Sequence, residues 1–259
     1  MNKKYPTYWT HSRLSDYEKC PLMYAGKYLQ YFGPLQYKQS PAAARGDKIH
    51  GLMEQAVAGS KLAGALDRYN DYVAELRQWP VVHTERKLAL DAGWNPLDWS
   101  ASGMWWRGKM DVECHNAKKK RGKAVDWKTG NIYGTNADQI RLYAGVMFEH
   151  ERTYKEVEVE LVYLDQRKSI VETITRKEWL DYKPEFTRRA AAMLADRKHR
   201  ATPGDACRWC DFSAAKGGPC KSGVVDRRAV QTESRTARVV VSEAVPLRRG
   251  RPRPGTAAP

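Results

Sequence analysis

The 259-residue chain has no stretch approaching the roughly 20 apolar residues that cross a bilayer, which argues against a helical membrane protein. Its basic start, Met1-Asn2-Lys3-Lys4, has no apolar segment behind it. It therefore does not read as a secretory signal, and a soluble, cytoplasmic protein is expected. No internal repeat is evident, which sets repeat architectures aside. Acidic residues are in deficit: 30 Asp and Glu stand against 45 Lys and Arg, a formal charge of +15. That balance points to a polyanionic partner, most commonly nucleic acid, and is silent on catalysis. Cysteines are few (Cys20, Cys114, Cys207, Cys210 and Cys220), and three of the five crowd near the end. In a cytoplasmic chain such grouping suggests metal before disulfide.

What is present is enough for a core, since 42% of residues are hydrophobic. Ser12 to Gln30 reads as a helix capped by Ser12, with Pro21 forcing a kink or break after Cys20. Ser40-Pro41 opens a second helix whose apolar face is Ile49, Leu52, Met53 and Ala56. A third is expected over Leu62 to Trp79, stopped by Pro80. The period then changes to two. Strands are expected at Val81 to Asp91, Gly103 to Cys114 and Lys123 to Lys128, the last two joined by a basic turn. A helix from about Thr135 to His150 precedes strands around Val157 to Tyr163 and Ser169 to Thr173. Thr175 and Glu178 form a capping box for a last helix reaching towards His199, with Pro184 expected to interrupt or kink it. This order argues for an α/β or α+β domain with a mixed sheet. Beyond Gly223, Arg, Pro, Gly, Ser and Ala dominate, so residues 224–259 read as a largely disordered basic tail.

Chemistry concentrates in Gly108-Lys109-Met110-Asp111 and Val125-Asp126-Trp127-Lys128-Thr129-Gly130. Residues two apart on a strand share a side, so Asp126 and Lys128 face together, about 7 Å apart. By the same alternation Trp106, Met110, Val112 and Cys114 should share the packed side of their strand, opposite Arg107, Lys109, Asp111 and Glu113. Pairing the two strands across the turn brings Asp111 beside Asp126. Close carboxylates repel unless a cation lies between them, and hard oxygen donors suit Mg²⁺ or Mn²⁺. The lysine adds positive charge of the kind a phosphodiester needs as it is attacked. The bland alternative is that Asp-x-Lys is simply a solvated strand.

Five pieces in order then resemble the RecB-like branch of the PD-(D/E)XK nucleases, between Thr10 and Gly223. They are Ser-x-x-x-x-Tyr-x-x-Cys-Pro-x-x-Tyr at 12–24, Gly46-Asp47-Lys48-Ile49-His50, the Asp111 strand, Asp126-Trp127-Lys128-Thr129-Gly130, and Gln139-Ile140-Arg141-Leu142-Tyr143. The resemblance implies a restriction-endonuclease-like core over residues 1–223, with a mixed central sheet flanked by helices, an N-terminal helical segment and a C-terminal cluster knot. It implies that His50, Asp111, Asp126 and the carbonyl of Trp127 bind Mg²⁺ or Mn²⁺ and that Lys128 is the catalytic lysine. Gln139 and Tyr143 would stand at the active site; alternatively Tyr143 only packs beside Ile140 and Met147. Glu85 matches an early acidic residue that some members place near the metal, and reads equally as a solvated strand edge.

Cys207-x-x-Cys210 can put two sulfurs on one metal, with Cys220 following after nine intervening residues and Cys20 far upstream. Four thiolates suit a [4Fe–4S] cluster or zinc. The split arrangement resembles the cluster of CRISPR-associated RecB-like exonucleases and of the AddB nuclease domain, where it joins the terminal segments. Cys114 falls on a packed side and reads as a core residue. Lys118, Lys119, Lys120, Arg121 and Lys123 are either phosphate contacts or an ordinary exposed turn. Trp94, Trp99, Trp105 and Trp106 could stack on bases but more often fill cores. The expected activity is an exonuclease on DNA, phage-borne or stand-alone, in recombination, replication or processing. The rivals are a nuclease-like module that only grips DNA, or a zinc-stapled DNA-binding protein. The tail would attract DNA, recruit a protein partner or aid solubility.

Overall fold

The structure is a computed structural model and describes residues 7–33, 40–132 and 136–222; the tail expected at 224–259 lies outside them. Two short helices come first, α1 (His11–Lys19) and α2 (Pro21–Tyr28). Cys20 separates them in extended backbone, with Pro21 starting the second, so the expected break falls where the proline demanded it. The cap of α1 is Thr10 and not Ser12: the Thr10 hydroxyl accepts from the Arg13 amide at 3.1 Å. Helix α3 (Pro41–Val57) is capped by Ser40 as expected. The anticipated third helix is shorter. A 3₁₀ segment, Gly64–Tyr69, leads into α4 (Asn70–Leu76), because the Asn70 side chain turns back to bond both the Leu62 amide and carbonyl.

Six strands follow: β1 (Val81–Leu90), β2 (Pro96–Leu97), β3 (Trp106–Asn116), β4 (Arg121–Lys128), β5 (Glu156–Tyr163) and β6 (Lys168–Thr175). They form one mixed sheet in the order β2-β1-β3-β4-β5-β6, with β4 and β5 its parallel pair. That pair needs a crossover, which α5 (Ala137–His150) supplies. Helix α6 (Arg176–Ala195) starts at the expected Thr175–Glu178 capping box. It runs unbroken through Pro184, contrary to the expected interruption. Trp179, Phe186, Ala190 and Met193 bury one face of it on both sides of the proline, and that packing outweighs the lost hydrogen bond.

Helices cover both faces of the sheet. On one side α3 and α4 pack Met53, Val57, Val73 and Leu76 against Val112, Val125, Trp127 and Val162. On the other, α1, α2, α5 and α6 bury Leu14, Tyr24, Phe148 and Trp179 against Ala124, Val159 and Leu161. Trp94 and Trp106 are buried here and Trp105 packs against them, which removes these three as free stacking platforms. Cys114 is a core residue, its thiol pushed up to about 12 by burial. No described helix is long and apolar enough to cross a membrane.

One expectation about side-chain direction fails. Trp106 and Met110 pack in the α5–α6 layer, whereas Val112 and Cys114 pack in the α3–α4 layer. Beside them on β1, Glu85 holds φ +53°, a left-handed conformation that breaks the regular pleat. The alternation therefore changes sides at the Glu85–Asp111 level.

Candidate active site

The exchange of sides brings acids from two strands towards α3. Asp111 leaves the regular β3–β4 ladder, which ends at the Val112–Val125 pair. Its Oδ2 instead accepts from the Trp127 amide at 2.8 Å and lies 3.2 Å from His50 Nδ1. That bond raises the pKa of His50 against its partial burial. Ligand atoms of His50, Glu85 and Asp111 all lie within 4.8 Å of one another. A nitrogen and two hard carboxylates are a donor set for a small divalent cation. Glu85 also carries Lys109 as an ion-pair partner, which raises the pKa of that lysine.

Asp126 stands next to this group and is engaged on its other side. Gln139 Nε2 and the Tyr143 hydroxyl donate to Oδ1 at 2.9 and 3.1 Å, and Lys128 Nζ lies 2.7 Å from Oδ2. Burial raises the Asp126 pKa and the like charge of Asp111 raises it further, while Lys128 and Tyr143 oppose them. Gln139 and Tyr143 sit one turn apart on α5 and bond each other at 2.9 Å. Tyr143 therefore places its hydroxyl on a carboxylate rather than only its ring in the core. Burial raises its own pKa as well.

The structure thus brings together His50, Asp111, Asp126, Trp127, Lys128, Gln139 and Tyr143. Glu85 joins His50 and Asp111 in a tight group of donor atoms, and Asp126 stands beside it, bound to Lys128, Gln139 and Tyr143. The loop after β4 is tied down separately: Asp165 accepts from the Gly130 amide at 2.8 Å and pairs with Arg45 of α3 at 2.6 Å.

Asp126, Lys128, Gln139 and Tyr143 line an open cleft whose far wall is the start of α1. His11 stands there, and sequence reasoning misses it. Burial, followed by the nearby Lys128 charge, lowers its pKa to about 4, so it is neutral at physiological pH. The signal that could have found it is Thr10-His11-Ser12, a run of small polar groups at a helix start that suggests only a cap. The basic turn fares differently. Lys118, Lys119 and Lys120 are exposed, while Lys123 is committed to Glu158 and Glu160 at 2.7 and 2.6 Å and is not free for a phosphate. The turn also lies at the opposite end of the β3–β4 hairpin from Asp126, some 20 Å along the strand.

The four cysteines expected to act together, Cys20, Cys207, Cys210 and Cys220, line one small cavity with Leu22, Met23, Pro203 and Phe212. The Thr202 and Gly204 amides point at the sulfurs of Cys20 and Cys207, at 3.4 and 3.5 Å. Burial raises the Cys210 pKa, and the other three cysteines raise it further.

Among solved structures, the chain is similar to one described as the crystal structure of SSO0001: 15% identity, covering 86% of this chain and 89% of that one, with a TM-score of 0.47. No curated protein matches the sequence. A family model described as the PD-(D/E)XK nuclease superfamily matches residues 8–113 and 84–215. Because those matches take in every element that builds the cleft, from α1 through α5, the chain belongs to the PD-(D/E)XK nuclease superfamily.

Proposed function

We propose that this protein is a metal-dependent DNA exonuclease that hydrolyses phosphodiester bonds in the cleft between α1 and the ends of β3 and β4. The observation that carries this reading is the placement of His50, Glu85 and Asp111 within 4.8 Å of one another, beside the Asp126–Lys128 pair. Superfamily membership implies a nuclease, and nucleases of this kind use Mg²⁺ or Mn²⁺. The residues fit such an ion: two acids converge on one imidazole, an arrangement that gains from an added positive charge. His50, Glu85 and Asp111 would hold it, with Asp126 and the carbonyl of Trp127 adjoining. Bound there, a divalent cation supplies Lewis acidity towards the phosphodiester.

The remaining groups have their own roles. The Lys128 ammonium is 28% exposed at the cleft and stabilises negative charge that develops on the phosphoryl oxygens. Gln139 and Tyr143 fix the rotamer of Asp126, so its second oxygen keeps a constant direction. The net charge of +15 draws the polyanion in.

Cys20, far upstream, meets Cys207, Cys210 and Cys220 at one cavity, and four thiolates there would hold a [4Fe–4S] cluster, with zinc as the alternative. Its role is structural, holding the α1–α2 junction to residues 201–222. By analogy the enzyme serves DNA recombination, replication or processing.

The test is incubation with Mn²⁺ and end-labelled linear and circular DNA, wild type beside Lys128→Ala. Shortening of linear DNA only, lost in the variant, is expected. Cutting of circles would replace exonuclease by endonuclease, and activity surviving in the variant would remove the mechanism. Anaerobically purified protein that contains zinc and no iron would remove the cluster.

A further inference from the structure

Arg13, Arg107 and Lys87 come from three different elements, α1, β3 and β1, yet two aromatic rings gather them into one column. The Arg13 guanidinium lies 4.2 Å from the centre of the Tyr8 ring and the Arg107 guanidinium 4.0 Å from it. Arg107 also stands 4.9 Å from the centre of the Trp99 ring, over which the Lys87 ammonium lies at 5.8 Å. Each ring thus carries two cations, and both rings are half-buried. Trp99 is therefore a spacer between charges and not an open platform for a base.

Among the described residues, no carboxylate lies within 4.0 Å of any of the three cations. Nearby acids are committed elsewhere: Asp16 to Lys27 and Tyr28 at 2.7 and 2.8 Å, and Glu85 to Lys109. Asp98, next to Trp99 in the chain, is exposed and makes no ion pair among the described residues, so three cations face one free acid. The rings relieve part of the repulsion between the cations, and an added polyanion relieves more. The donors suit phosphate. Each guanidinium gives an N–H to Tyr8, Arg13 to its carbonyl at 3.4 Å and Arg107 to its hydroxyl, and keeps further N–H groups for a ligand. Arg107 joins the column to the cleft, whose wall it shares with Asp126 and Lys128.

We infer that the column of Arg13, Tyr8, Arg107, Trp99 and Lys87 grips the phosphate backbone of the double-stranded part of the DNA substrate. A duplex carries about one charge per 1.7 Å of its axis on a stiff frame, which suits cations that rings hold at set separations. Single strands draw much of their binding from base stacking, and here the rings are already taken by cations. The inference rests on the nuclease reading for its substrate class. It adds to that reading a place, from the rim of the cleft across β3 to β1, where paired DNA is held without its sequence being read.

Binding is tested by fluorescence anisotropy of the full-length protein without added divalent cation, where hydrolysis plays no part. The probes are a labelled blunt duplex and one of its strands alone. Arg13→Gln and Lys87→Gln should each weaken duplex binding by about 3- to 10-fold and flatten its logarithmic salt slope by about 0.9, the share of one phosphate contact. Single-strand binding should stay within about 2-fold. A second measurement needs no variant: on the wild-type protein, bound duplex should protect Lys87 from acetylation and leave Lys168, on β6 at the other edge of the sheet, as reactive as before. Unchanged duplex affinity in both variants, equal losses on the two DNAs, or a Lys87 that duplex does not protect would overturn the proposal. Wild-type cleavage with Mn²⁺ is read in parallel, so a failed grip and a failed nuclease are told apart.

Discussion

Asp126 and Cys207 are each expected to face a metal, yet the molecule secures them by different means. Asp126 is 5% exposed on a strand paired in register with β5, and it carries Gln139, Tyr143 and Lys128 as partners. Cys207 is half-buried in a segment of 3₁₀ turns and bends, with one weak amide contact to its sulfur. The contrast teaches that the cleft is a product of the sheet, where burial and backbone pairing supply the order. The cysteine corner has little of either, and in the proposed reading a cluster would supply it.

The largest effect that separates the two regions is catalytic. Asp126→Asn should lower the rate on end-labelled DNA by about 10³-fold. Its thermal midpoint, followed by circular dichroism, should hold or rise, because burial and Asp111 both disfavour the charge being removed. A variant that lost activity by unfolding would erase the distinction between the regions. Next, Cys207→Ser should lose iron and speed proteolytic cutting within residues 201–222 by about 100-fold, while the sheet stays protected. Equal protection in wild type and variant would mean that the corner holds itself together.

A third substitution tests how tightly the sheet's helices are packed. A Cβ on Gly145 of α5 would lie 2.4 Å from the Trp179 ring. Gly145→Ala should therefore cost about 1–3 kcal/mol, read as a lower midpoint, despite alanine's better helix propensity. The smallest effect is in pH. For metal-free protein, the unfolded chain protonates His11 near 6.5 and the folded protein does so only near 4. Between those values the unfolded state binds more protons, so stability falls as pH drops through the window and levels off below it. His11→Gln should flatten that slope by about 1 kcal/mol, a figure reduced for partial exposure. Denaturant titrations at pH 7, 5 and 4 check it.

Much of this was legible in the sequence wherever one residue type dictates a local outcome. Pro21 ended a helix, Thr175 and Glu178 started one, and Asp126-Trp127-Lys128 divided between cleft and core as alternation required. The misses share a cause, which is that tertiary packing overrode a local rule. Pro184 was tolerated inside α6 because the flanking face is buried. Lys123 reads as a free cation until β5 places two glutamates opposite it. For Glu85 the sequence offered two readings, an acid near the metal and a solvated strand edge, and the left-handed backbone that accompanies its place beside His50 and Asp111 is one that no acidic side chain advertises.

The bond from the Trp127 amide to Asp111 has a consequence for how an ion is received. A carboxylate on a free side chain must stop rotating when it coordinates, and that loss subtracts from affinity. Here one oxygen is already fastened to a neighbouring strand, so the other keeps a fixed heading, and a divalent cation of the proposed kind would lose little to its immobilisation.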